Sequence, residues 1–209
     1  MKQKAWRSLP ALALTALLGL LLPALAQNDL YGPETPADVA WIRVLNAGPD
    51  VVTAYLGGEE LAAEPFRATA YTPVEPGPGT IEVQGEPVEV APEAGQFLTL
   101  ALLPSGPLVV ADPALRDVSR GLLGLMNLTE RPALSLLTPE GEPVVVDVAP
   151  GTAESIAISP AQTALVVTEG EEPVAEVDAA LFDRAQAYTV VVLEGENGVT
   201  ALILTASAN

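Results

Sequence analysis

Acidic side chains are the residues through which this chain could do chemistry. Its 209 residues carry 27 Asp and Glu but no His and no Cys. Lys occurs only at Lys2 and Lys4. Without His or Cys there is no Ser-His-Asp or Cys-His nucleophile system and no imidazole or thiolate metal ligand. Beyond Lys4 there is likewise no amine for a Ser-Lys dyad or a Schiff base. Two carboxylates alone can hydrolyse a glycoside. Such a site needs a deep cleft with aromatic platforms, however, and past residue 26 the chain has Trp41 and a few Tyr and Phe. The recurrent acidic motif, at Gln84-Gly-Glu-Pro87, Glu140-Gly-Glu-Pro143 and Glu169-Gly-Glu-Glu-Pro173, lacks the dense alternating oxygens of a calcium loop. It reads as a polar hairpin turn, with Gly tolerating positive φ and Pro opening the outgoing strand. The residue inventory therefore predicts no catalytic residue, no metal site and no cofactor: a protein that is not an enzyme.

The same inventory bounds location and partners. Residues 1–26 read as a secretory signal peptide, with Lys2, Lys4 and Arg7 ahead of an apolar core from Leu9 to Leu22 and a small-residue end at Ala24-Leu-Ala26. The apolar run is shorter than the ~20 residues of a membrane span. Cleavage after Ala26 would leave no membrane span and no Cys for a lipid anchor, so the chain is expected to be periplasmic or extracellular. It would also leave six Arg against 27 acids, a net charge of −21. That charge excludes nucleic-acid backbones and anionic lipid surfaces as partners. It fits solubility or a salty habitat, with cation binding as the sharper alternative.

The elements that would position any site are short strands. From Ala40 onward, apolar runs of four to eight residues rich in Val, Leu, Ile and Thr alternate with Gly, Pro and acidic turns. The runs are written twice. Trp41–Asn46 opens the first series and Gly121–Asn127 the second, with the two Asn 81 residues apart (127 − 46). Phe97-Leu-Thr-Leu100 aligns with Tyr188-Thr-Val-Val191, 91 residues on, so the second copy carries about ten extra residues. Ala179–Ala187, with four Ala among its nine residues, is the one short helix expected, and it falls in that excess. The fold class that follows is all-β: two tandem small antiparallel β-sandwich, Ig-like domains after a signal peptide. The expected divisions are an extended arm at 27–39, a first domain at 40–112, a linker at 113–120 and a second domain at 121–209. Continuous apolar runs such as Val190-Val-Val-Leu193 predict central strands covered on both faces.

Within this frame a few residues stand out as contact candidates. Tyr31, Gly32 and Pro33 sit in an arm that offers no core for an aromatic ring. Trp41 opens a strand as a core residue or a platform. Arg43 is expected to point outward, paired with a cross-strand acid. Asn46 and Asn127 end their strands as turn caps, and Asn127-Leu-Thr129 has the form of a glycosylation sequon.

Asp29-Leu-Tyr-Gly-Pro33, followed by Trp41-Ile-Arg-Val-Leu-Asn-Ala47 and a second strand-Asn-Leu-Thr at 122–129, resembles the AlgF family of alginate O-acetylation proteins. The first strand and turn, Arg43-Val-Leu-Asn-Ala-Gly-Pro-Asp50, is also similar to an extracellular Ig-like repeat family of unknown function. The first resemblance implies a periplasmic accessory protein working beside a membrane acyltransferase and exported Ser-His-Asp acetyltransferases during O-acetylation of a secreted, alginate-like polysaccharide. The second copy departs from the motif, with Gly124 where the family has Arg. A chain at −21 is repelled by a polyuronate of the same sign, so direct polyuronate binding is disfavoured and the implied role is that of an adaptor acting through protein–protein contacts. The alternative is a general extracellular Ig-like binding or surface module.

Overall fold

Apolar runs flanked by turn residues form seventeen strands in the computed structural model, and no helix occurs among the described residues, which are 38–115, 117–195 and 198–207. The signal peptide at 1–26, nearly all of the 27–39 arm, and with it Tyr31, Gly32 and Pro33, lie outside them. The first half comprises β1 (Ala40–Asn46), β2 (Val52–Leu56), β3 (Glu59–Ala63), β4 (Arg67–Ala68), β5 (Thr72–Val74), β6 (Gly79–Val83), β7 (Glu86–Val90), β8 (Phe97–Leu103) and β9 (Gly106–Asp112). The second comprises β10 (Gly121–Asn127), β11 (Leu134–Leu137), β12 (Pro143–Val148), β13 (Thr152–Ile158), β14 (Ala161–Glu169), β15 (Glu172–Phe182), β16 (Gln186–Gly195) and β17 (Gly198–Ser207).

The halves share one topology. The first pairs a sheet of order β4-β1-β8-β9, with β5 also on β1, with a sheet β3-β2-β6-β7. The second repeats both, as β13-β10-β16-β17 and β12-β11-β14-β15. Pairing is antiparallel except for β1 with β8 and β10 with β16, which run parallel. These parallel pairs are possible because the strands between them cross to the opposite sheet and back.

Three apolar layers hold four sheets. Ile42, Val44, Ala54, Ile81 and Leu100 fill the first sandwich, and Leu125, Leu136, Leu165, Phe182 and Val190 fill the second. The third layer lies between the sandwiches. On β1, the side chains alternate between the first core (Ile42, Val44) and this layer (Leu45). Its members occur as counterparts from the two halves: Leu45 with Met126, Ala47 with Leu128, Ala101 with Val191, Leu103 with Leu193, Leu108 with Leu202, Val110 with Leu204 and Ala68 with Ala153. The inner sheets are thus buried on both faces, which is why their strands read as unbroken apolar runs.

Two sequence expectations change. Asn46 pairs with Leu102 and Asn127 with Val192, so the second offset is 90 rather than 91 and the excess is nine residues (90 − 81). Phe97 therefore corresponds to Ala187, not Tyr188. The one-residue slip swaps faces: Phe97 looks into the layer between the sandwiches, whereas Tyr188 is in the second core. Nor is there a helix at 179–187. Ala179–Phe182 finish β15, Phe182 pairs with Ala161, and Gln186 already begins β16. Burial of Phe182, edge-on to Tyr188 at 5.0 Å, overrides the helical preference of the Ala-rich stretch. The extra residues lengthen a hairpin instead: β6 and β7 have five residues each, β14 and β15 nine and eleven.

Candidate functional site

At one end the inter-sandwich layer stops being apolar. The face of β1 that carries Leu45 also carries Arg43 and Trp41. The β1–β8 register sets Trp41 beside Phe97 and Arg43 beside Thr99, and the β8–β9 register sets Phe97 beside Asp112. Arg43 is only 3% exposed. Its Nε donates to Thr99 Oγ1 at 2.8 Å and its Nη2 to Asp112 Oδ1 at 3.2 Å. Asp112 Oδ2 accepts from Thr99 Oγ1 at 2.5 Å and from the Tyr71 hydroxyl at 2.7 Å. The guanidinium lies 4.8 Å from the centre of the Tyr71 ring. Phe97 stacks on Trp41 at 5.9 Å and meets Tyr71 edge-on at 5.1 Å. Burial, followed by the neighbouring Asp112 charge, pushes the Tyr71 hydroxyl far above the usual phenol range.

This cluster forms the floor of a groove of about 760 Å³. Phe66 and Arg67 stand at its lip, and Ala187, Thr189 and Leu202–Ala206 make the opposite wall. The groove exists because counterpart positions differ in size. Opposite Arg43, Phe97 and Asp112 in the repeat stand Gly124, Ala187 and Ala206. Large and charged residues of one half thus meet small ones of the other. Phe66 is an exposed aromatic residue at φ 54°, a left-handed conformation that is costly for a bulky side chain. Arg43, Arg67 and Asp112 are the only charged residues in the lining among the described residues, on a chain with three times as many acids as bases.

Chemically, the cluster is closed on itself. Asp112 is engaged by three donors, and the Thr99 hydroxyl both donates to it and accepts from Arg43. No hydroxyl faces a free base. Among the described residues no group of three Asp or Glu side chains gathers at a metal-binding distance, and no helix is long and apolar enough to cross a membrane.

The structure brings Trp41 and Arg43 into the same groove, while Tyr31, Gly32 and Pro33 fall outside the described residues. Arg43 does not point outward to a cross-strand acid. It is buried, and its acid lies two strands away across β8. Asp112, Tyr71, Phe97 and Phe66 line the groove and Thr99 bonds to Arg43 and Asp112 beside it; none of the five was among the contact candidates read from the sequence. The available signal was parity, since Arg43 shares its face of β1 with Leu45 and an arginine there needs a buried partner.

Asn46 and Asn127 are anchors with matching geometry. Asn46 Nδ2 donates to the carbonyls of Asp50 and Ala63 at 2.7 and 3.0 Å, and its Oδ1 accepts from Gly48 N–H at 2.9 Å. Asn127 Nδ2 donates to Arg131 and Val148 carbonyls, both at 3.0 Å, and its Oδ1 accepts from Thr129 N–H and Oγ1. Each ties the end of the opening strand to its turn and to the last residue of a strand in the other sheet. Fully buried, with both amide hydrogens engaged, Asn127 does not present its sequon for modification in the fold.

The family profile described as alginate O-acetyl transferase AlgF matches residues 13–189. The alginate biosynthesis protein AlgF of Pseudomonas syringae pv. tomato is 31% identical over 186 residues, covering 86% of this chain and 83% of that protein. The alginate biosynthesis protein AlgF of Pseudomonas aeruginosa is 28% identical over 171 residues, covering 79% and 78%. A solved structure of the C-terminal domain of AlgF from P. aeruginosa aligns with 42% of this chain and 99% of that domain, at 21% identity and a TM-score of 0.39.

Proposed function

The chain belongs to the AlgF family, and on that premise we propose that it is an exported, non-catalytic accessory protein for O-acetylation of an alginate-like polysaccharide, acting through contacts with other proteins. The observation that carries the reading is the self-satisfied state of the Arg43–Thr99–Asp112–Tyr71 cluster. Asp112 is the one carboxylate base in the cluster, and it already accepts from Arg43, Thr99 and Tyr71, so it is not left to activate a nucleophile. The absence of His and Cys from the chain supports the same division of labour. Its formal charge of −18, before any signal cleavage, argues against gripping a polyuronate directly. A periplasmic location is part of the proposal and follows from the family and the signal-like residues 1–26.

Deleting the gene in its own host should abolish polymer acetylation, and complementation should restore it. The purified protein should leave acetyl esters untouched. Normal acetylation in the deletion strain would sink the proposal, and esterase or transferase turnover by the purified chain would sink its non-catalytic half.

A further inference from the structure

Strands at the border of a sheet expose unpaired N–H and C=O groups, and proteins protect them with prolines, charges or bulges. Nearly every border of this molecule follows that rule. A proline stands in β5, β7, β9, β12 and β15, and a charged residue in β3, β4 and β13. β17 breaks it. Across its ten residues, Gly198-Val-Thr-Ala-Leu-Ile-Leu-Thr-Ala-Ser207, it has no charge and no proline, and among the described residues it pairs with β16 alone. Its counterpart in the first half, β9, carries Pro107 and Asp112.

The unprotected border opens onto the groove. Five successive residues, Leu202–Ala206, line it. Their side chains alternate, with Leu202 and Leu204 in the inter-sandwich layer and Ile203 against the second core. A run that lines a groove with residues of both parities presents its backbone edge to it. Resting on the accessory reading above, we propose that the free edge of β17 accepts an extended strand from a protein partner, and that the groove takes that strand's side chains.

The occupant follows from charge. A second copy of this chain would bring a like formal charge of −18 to the contact. The groove itself has the opposite bias. Arg43 and Asp112 neutralise each other, which leaves exposed Arg67 with no ion pair among the described residues. A fitting strand carries a carboxylate toward Arg67 and an apolar or aromatic side chain against Phe66 and Phe97, while its main chain satisfies the β17 border. Main-chain pairing supplies affinity and the alternate side chains supply selectivity. A uronate polymer also has carboxylates but lacks the regular amide donors and acceptors that match a strand edge.

Amide hydrogen exchange on the full chain tests this, alone at two concentrations, with the purified exported acetyltransferases of the same acetylation system, and with polyuronate. An acetyltransferase should slow exchange along 198–207 and leave β9 and β13 unchanged. Thr205→Lys, at an exposed position of the edge, should abolish that protection. Arg67→Glu should weaken the complex by about tenfold or more, with thermal unfolding of both variants unchanged. A complex that forms without protecting β17 overturns the strand-docking proposal and leaves the accessory reading standing. Protection that rises with the chain's own concentration assigns the edge to a second copy, and protection by polyuronate assigns the groove to the polymer; either result overturns the proposal. If no acetyltransferase binds at any surface, the accessory reading falls and this proposal falls with it.

Discussion

Removing Asp112 should destabilise the fold more than removing Arg43, and removing both should cost less than removing Asp112 alone. The side chains of the pair are 4% and 3% exposed. Asp112→Ala strips a buried guanidinium of its counter-charge and takes the acceptor from Tyr71 and Thr99. Stranding a buried charge in this way costs roughly 3–5 kcal/mol. Arg43→Met leaves Asp112 with two hydroxyl donors, 2.7 and 2.5 Å away. What is lost is the charge-assisted contact to Asp112, about 1.5–3 kcal/mol, and the Nε donation to Thr99, whose hydroxyl still donates to Asp112. In the double variant no charge remains buried, and exchanging such a pair for apolar groups is often near neutral. The coupling should therefore reach about 2 kcal/mol in the favourable direction, well outside the roughly 0.5 kcal/mol scatter of independent sites. Urea unfolding reads it directly, as midpoints that move while the slope stays constant. Additive single effects would refute the claim that the two charges neutralise each other in a desolvated site.

The two asparagine anchors should behave alike. Asn46→Ala leaves the Asp50 and Ala63 carbonyls without a donor and Asn127→Ala does the same to Arg131 and Val148, each at about 2–4 kcal/mol in urea unfolding; a negligible effect at one position would show that the match is geometric only. Tyr71 makes stability sensitive to alkali. Its folded-state pKa is raised, so its contribution is fully present below the unfolded value near ~10 and declines as pH rises above it, by up to about 1.4 kcal/mol per pH unit. Between about pH 10 and 11 wild type should therefore lose about 1 kcal/mol more stability than Tyr71→Phe, and parallel losses would exclude a desolvated phenol.

Much of the fold was legible because its causes are local or repeated. Asn46 and Asn127 marked the copies, Gly-containing turns marked hairpins, and Val190-Val-Val-Leu193 announced a strand covered on both faces. β3, β4 and β5 escaped because Glu59, Glu60, Arg67 and Pro73 break the apolar pattern, as border strands do. Ala179–Phe182 read as helix because composition carries no record of the long β14 partner. The candidate site was half visible. Trp41 and Arg43 stood out by type, but Asp112 sat at the margin of the expected linker. Its role depends on a register spanning 69 residues to Arg43, and sequence spacing does not encode that.

The matched positions that fill the layer between the sandwiches describe an isologous surface, the same patch contributed from both sides. Two identical, unlinked copies of the first half joined through that patch would form a symmetric dimer. In it, a residue such as Arg43 or Asp112 would have its own twin across the contact. Joining two copies in one chain lifts that constraint. One side can keep Arg43, Phe97 and Asp112 while the other shrinks to Gly124, Ala187 and Ala206. A pair of equivalent, crowded surfaces thereby becomes a single asymmetric groove, the kind of feature a homodimer of one repeat cannot build.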